Sequence, residues 1–249
     1  MRLLLQLAAI SLITATTAHA QFHMPQLSHK EKDNREDLSW LAPFAEPAPS
    51  GQATMLVHDP RFKPFLRDHL TARQAFWNEN QSLAETTMEF LGTPNLVLLD
   101  SNRYLVVDGC VAAFCPARGL LFVDLGTAHP LIVFAALDWV KENKTTDQPG
   151  AEYTLWVFAN HSFRPEGATA ANPQQSNAPD PNATETLSIP VALTRAIARW
   201  SAQPVPGSNT RQNITRAVIV EPGSAGHQVP PAAIGAVSTS QPSEAKAKP

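Results

Sequence analysis

Cysteine is nearly missing from this 249-residue chain, which has two, Cys110 and Cys115. A framework of several bridges and a four-thiolate zinc site are both excluded. Positive charge is not concentrated either. Lys and Arg number 19 against 22 Asp and Glu, a net charge of −3. Without a basic stripe to neutralise phosphates, nucleic acid is not an expected partner. Long apolar runs are lacking too. Leu3 to Ile13 falls short of the roughly 20 residues a spanning helix needs, and Asp124, His129 and Asp138 interrupt the most apolar later region. Aromatics all but stop after Phe163: from Arg164 to the C-terminus Trp200 stands alone. That third has little to bury, so the core is expected from residues before it.

The first twenty residues read as a cleavable export signal. Arg2 supplies the charge, Leu3 to Ile13 the apolar stretch, and Ala18-His19-Ala20 the small residues before a cut at Gln21. A periplasmic or secreted protein is therefore expected, with no membrane span after cleavage. No Cys follows the cut, which argues against a lipid anchor. In an oxidising compartment an even cysteine count favours a Cys110–Cys115 disulfide.

Proline, at 22 residues, is unevenly placed. Residues 21–54 read as an irregular Pro-rich linker, although Trp40, Leu41 and Phe44 could dock onto a domain. Within it, the mixed charges of Lys30 to Asp37 offer nothing to pack. A compact domain is expected over 55–163. Residues 164–249 read as a Pro/Ala-rich tail of low order, with a helix near 188–202. In that helix Ile189, Leu193, Ala196, Ile197 and Trp200 share a face, a short β-like run, 217–220, follows, and both could dock on the sheet domain.

Inside the domain, Asp59-Pro60 signals a helix start, with Phe62, Phe65, Leu66 and Leu70 at helical spacing. Ser82 and Glu85 have capping-box spacing for a second helix. After Pro94 the pattern changes to short β-rich runs at 95–99, 103–107, 119–125, 130–137 and 152–158, separated by turn residues. The run from 131 to 142 is also compatible with a helix. The fold class is therefore α+β: an antiparallel sheet of about five strands, N-terminal helices packed on it, and long irregular flanks.

Candidate chemistry is sparse. Four residues, Val111, Ala112, Ala113 and Phe114, separate the cysteines. So small a closed loop stabilises by only about 2 kcal/mol on the entropy model. It either fixes the shape of a protrusion or staples a hairpin end. Its spacing suits neither a redox pair nor a metal site. His58, His69, His129 and His161 share no ligand spacing, so neither metal nor cofactor is expected. No Ser sits in a nucleophile elbow. Asp108, Asp124 and His129 could form a hydrolytic cluster if they met, but no motif supports it, and an enzyme is not expected. The sequons at Asn80, Asn143, Asn160, Asn182 and Asn213 matter only in a glycosylating host.

The stretch Tyr104-Leu105-Val106-Val107-Asp108-Gly109-Cys110-Val111-Ala112-Ala113-Phe114-Cys115-Pro116-Ala117-Arg118-Gly119-Leu120-Leu121-Phe122-Val123 resembles the inhibitor-of-vertebrate-lysozyme family, periplasmic proteins that block C-type lysozymes. In that family a strand enters a disulfide-closed loop with four residues between the cysteines, and another strand follows. The resemblance spans roughly residues 58 to 160. It implies a protein partner, a lysozyme or another envelope protein, engaged by Val111, Ala112, Ala113 and Phe114. The family's loop carries a His that meets the lysozyme's catalytic carboxylates; here Ala113 holds that place, so the mechanism is absent or changed. An exposed Phe114 could instead anchor in an apolar pocket. The alternative is a non-catalytic envelope structural or interaction protein, whose Pro/Ala-rich flanks make the contacts.

Overall fold

The structure, a computed structural model, describes residues 36–46, 51–140, 145, 146, 148, 150–163 and 188–237. The expected export signal at 1–20 lies outside the described residues, as do 30–35 of the charged stretch.

Part of the expected linker is ordered. Ser39–Ala45 form a 3-10 helix that buries Leu41. Trp40 packs edge-on to Phe65 at 5.9 Å, and the Arg61 guanidinium lies 4.5 Å over its ring. Helix α1 spans Ala53–Val57, α2 Phe62–His69 and α3 Leu83–Phe90. Helix α2 starts later than Asp59-Pro60 suggests. The Asp59 carboxylate instead accepts from the backbone and guanidinium of Arg61, both at 2.9 Å, which holds the lead-in turn. The capping box of α3 forms as its spacing predicts: Glu85 N–H donates to Ser82 Oγ and Ser82 N–H to the Glu85 carboxylate.

Seven strands make one sheet, two more than the five expected. They are β1 Thr93–Asp100, β2 Tyr104–Val111, β3 Phe114–Asp124, β4 Ile132–Trp139, β5 Glu152–Ala159, β6 Asn213–Val220 and β7 His227–Val229, lying side by side in chain order. The run near 131–142 is thus a strand. The first five strands form an antiparallel meander, β6 joins β5 in parallel, and β7 pairs antiparallel to β6. The sheet is therefore mixed, because the chain crosses from β5 to β6 through helix α4, Val191–Ser201.

Both faces are buried. Leu105, Val107, Leu121, Val123, Phe134 and Phe158 meet α1–α3 and the 3-10 helix. Val106, Leu120, Phe122, Val133, Leu137 and Leu155 meet Leu193, Ala196, Ile197 and Trp200 of α4, with Ile234 beside them. The expected helix near 188–202 and the run 217–220 do dock, as α4 and β6, and the low-order reading is corrected for β7 and Pro231–Ile234, which also belong to the sheet and its second cover. Apolar runs without alternation, such as 120–123 and 132–137, are what strands covered on both faces need.

Candidate functional site

The two cysteines sit at the closed end of the β2–β3 hairpin. Val111 pairs with Phe114, so Ala112 and Ala113 alone make the turn. Ala113 takes φ 62°, left-handed backbone that costs an L-residue roughly 1–2 kcal/mol. Both alanines are exposed. Behind the turn the ladder is uneven. Cys110 pairs with Arg118 while its neighbour Val111 pairs with Phe114, so Cys115, Pro116 and Ala117 bulge out of β3. The disulfide ties Cys110 to Cys115, the first residue of the bulge, with Cα atoms 4.8 Å apart.

The bulge is held from the other side by a buried polar network. Gln212, 1% exposed, donates through Nε2 to the Pro116 carbonyl at 2.7 Å. Its Oε1 faces Nη1 of Arg118 at 3.4 Å. Arg118 is 2% exposed, and its guanidinium donates to the carbonyls of Trp200 and Gln203, both at 3.0 Å. Those carbonyls lie at the C-terminal end of α4, where a cation is favoured. The guanidinium also lies 5.2 Å from the Trp200 ring. Burial lowers its pKa to about 10, against the Asp108 charge, so it remains a cation at neutral pH. One arginine thus joins β3, the end of α4 and the segment that follows it.

Asp108 lies on the same face of β2 as Cys110, facing α4. Burial raises its carboxyl above the ordinary range, opposed by the hydrogen bond from Asn95, the Arg118 charge and the Leu96 backbone. Asn95 Nδ2 donates to Oδ1 at 3.1 Å, from a residue that sits at a bulge in β1.

The possible hydrolytic trio does not assemble. Asp108 pairs with Leu120 and Asp124 with Tyr104, which separates the two acids by roughly 14 Å along the strand. Asp124 is engaged by Arg103, at 2.7 and 2.8 Å, and accepts from Gly126 N–H. His129 is exposed in the turn after β3, its carbonyl accepting from Thr127 Oγ1. Among the described residues, no group of three His, Cys, Asp or Glu could hold a metal ion, and no helix is long and apolar enough to cross a membrane.

Phe114 departs from the picture of a freely projecting anchor. It is half-buried, with its ring tilted against Trp139 at 6.4 Å. The exposed tip is Ala112-Ala113. Beside the bulge opens a cleft of about 440 Å³, lined by Cys115 and Pro116 together with Thr146, Val205, Pro206, Ser208 and Thr210. Arg118, Gln212 and this cleft had no motif to announce them. The one available signal was an arginine inside an otherwise apolar strand sequence. The expected strand began at residue 119, just past it.

No family model, no curated protein and no solved structure matches this chain.

Proposed function

We propose that the chain is an exported binding protein that presents its disulfide-closed hairpin, Val111, Ala112, Ala113 and Phe114, to a protein partner. One observation carries this reading. An exposed two-alanine tip stands on a root fixed by a disulfide and by the buried Arg118–Gln212 network. A tip ordered before binding loses little entropy on association, which is how a small contact becomes useful. The disulfide fits an oxidising compartment.

The sequence resemblance supplies the partner class, a C-type lysozyme. Ala113 brings a methyl group where that family brings an imidazole, so the contact would rest on shape rather than on meeting catalytic carboxylates. The test is a lysis assay and a binding measurement with wild type, Ala112→Arg and Ala113→His against a C-type lysozyme. Wild type is expected to bind, Ala112→Arg to lose at least tenfold in affinity, and Ala113→His to inhibit more strongly. If neither wild type nor Ala113→His binds the enzyme, the lysozyme reading fails. The second reading, an envelope structural protein whose hairpin is a staple, would replace it. That reading draws support from Phe114, which packs on Trp139 rather than projecting.

A further inference from the structure

The two sulfurs of the hairpin differ in surroundings. Cys110 is 1% exposed, on the sheet face covered by α4. Cys115 is half-buried and lines the 440 Å³ cleft beside Pro206 and Ser208. Thiol–disulfide exchange needs a thiolate to reach one sulfur and the other to leave, and a lower-pKa thiol leaves faster. Directly across the ladder from Cys110 stands Arg118, a buried cation on the same face. That cation offsets part of what burial and the Asp108 carboxyl on the same face cost a Cys110 thiolate, so the choice of leaving group rests on access, which half-buried Cys115 offers and Cys110 does not.

We infer that the Cys110–Cys115 disulfide is a native-state exchange site for small thiols, entered at Cys115 from the cleft, with Cys110 as the leaving group. An external thiolate attacks Cys115 Sγ. The S–S bond breaks, its electron pair passes to Cys110 Sγ as a thiolate, and a mixed disulfide forms on Cys115. A second external thiolate attacks the small-molecule sulfur of that mixed disulfide and releases Cys115 as a thiolate. The protein gains two electrons and two thiols become one external disulfide. Opening the bond leaves the bulge 115–117 tethered by the Gln212 hydrogen bond to Pro116 and by packing of buried Ala117. The redox state of the pair thereby sets how firmly the hairpin tip is held. The inference concerns the bond itself and stands whether or not the tip binds a lysozyme.

The test uses the oxidised full chain with excess glutathione at pH 8, quenched with acid, alkylated and mapped by peptide mass spectrometry. The adduct is expected on Cys115, with alkylated Cys110, at least tenfold over the converse. The initial rate should not change with urea below the unfolding transition, because no global opening is required. Pro206→Trp, which places an indole at the cleft, should slow the reaction at least fivefold while leaving the melting temperature unchanged. An adduct mainly on Cys110, or equally on both, would overturn the inference. So would a rate that tracks unfolding, or one that Pro206→Trp leaves unchanged.

Discussion

The two faces of the sheet are covered by opposite means. One face is covered by chain that precedes the sheet, residues 38–46 and 51–91, and its packing is aromatic: Phe76 meets Trp156 and Phe158, and Phe90 meets Phe134. The other face is covered by one eleven-residue helix and a short 3-10 turn, Pro231–Ile234, both encoded after the fifth strand. It has fewer rings and more buried polar groups, among them Asp108, Arg118, Ser201 and Gln212. The first cover meets the sheet through apolar and aromatic contact. The second is pinned in place by Arg118, which grips the end of α4 by its carbonyls. A small cover can thus be positioned by directional bonds where a large one relies on fit.

If the second cover is indispensable, removing it should be catastrophic. A chain ending at residue 163 should show no cooperative thermal transition and should aggregate, because Leu120, Phe122, Val133 and Leu155 would lie bare. Retention of a sharp melt would mean the aromatic face suffices by itself. Next in size, Arg118→Met should cost about 3–5 kcal/mol, since it strands the carbonyls of Trp200 and Gln203 and removes the cation nearest the Asp108 carboxylate. Urea denaturation would measure it, and the double variant Arg118→Met/Asp108→Asn should recover part of the loss. On the aromatic face the comparable position is Gln74, 4% exposed, which donates to the Asn78 and Gln81 carbonyls and accepts from the Phe76 and Trp77 amides.

Replacing both cysteines by alanine should cost about 2 kcal/mol on the chain-entropy model, also read from urea curves. The smallest effect is one of slope. Asp108 is held above its ordinary pKa by burial. Its folded form therefore keeps a proton that the unfolded chain releases. This contribution is fully present below the ordinary carboxylate value near 3.9 and is lost as pH rises through the folded value. Asp108→Asn should remove that loss, so the variant should gain on wild type as pH climbs through this window. A difference independent of pH would mean that Asp108 is not desolvated by the α4 cover.

Much of the first face was legible. The Ser82–Glu85 box, the apolar spacing of Phe62, Phe65 and Leu66, and the β-rich runs are local signals, and local signals survive without tertiary knowledge. The helix near 188–202 and the run 217–220 were also visible as elements. Their docking on the sheet was one possibility among others, because composition after 164 argued for weak burial. The missed clue was in the strands themselves. Leu120 to Val123 and Ile132 to Leu137 are apolar at every position, which an antiparallel strand needs only if both sides are dry. One upstream cover was in hand, so a second had to come from downstream. At the site, the cysteine pairing followed from count and spacing. The burial of Arg118 did not, because its acceptors are backbone carbonyls more than eighty residues away, and carbonyls carry no sequence signature.

The parallel pairing of β5 with β6 has a consequence for how the protein is made. Each earlier strand pairs with the strand just before it in the chain, the widest gap being from Trp139 to Glu152, whereas β6 must return to β5 from Asn213, with Ala159 the last residue of β5. Closing so long a loop comes late in folding, after contacts that are near in sequence. A chain emerging from the ribosome can zip its first five strands yet keeps one whole side wet until its last quarter has been synthesised. Such half-covered intermediates are the ones prone to self-association. Pulse-labelled hydrogen exchange should find the amides of β6 protected after those of β2 and β3, and that interval is the time in which the chain stays loose enough to be handled by other factors.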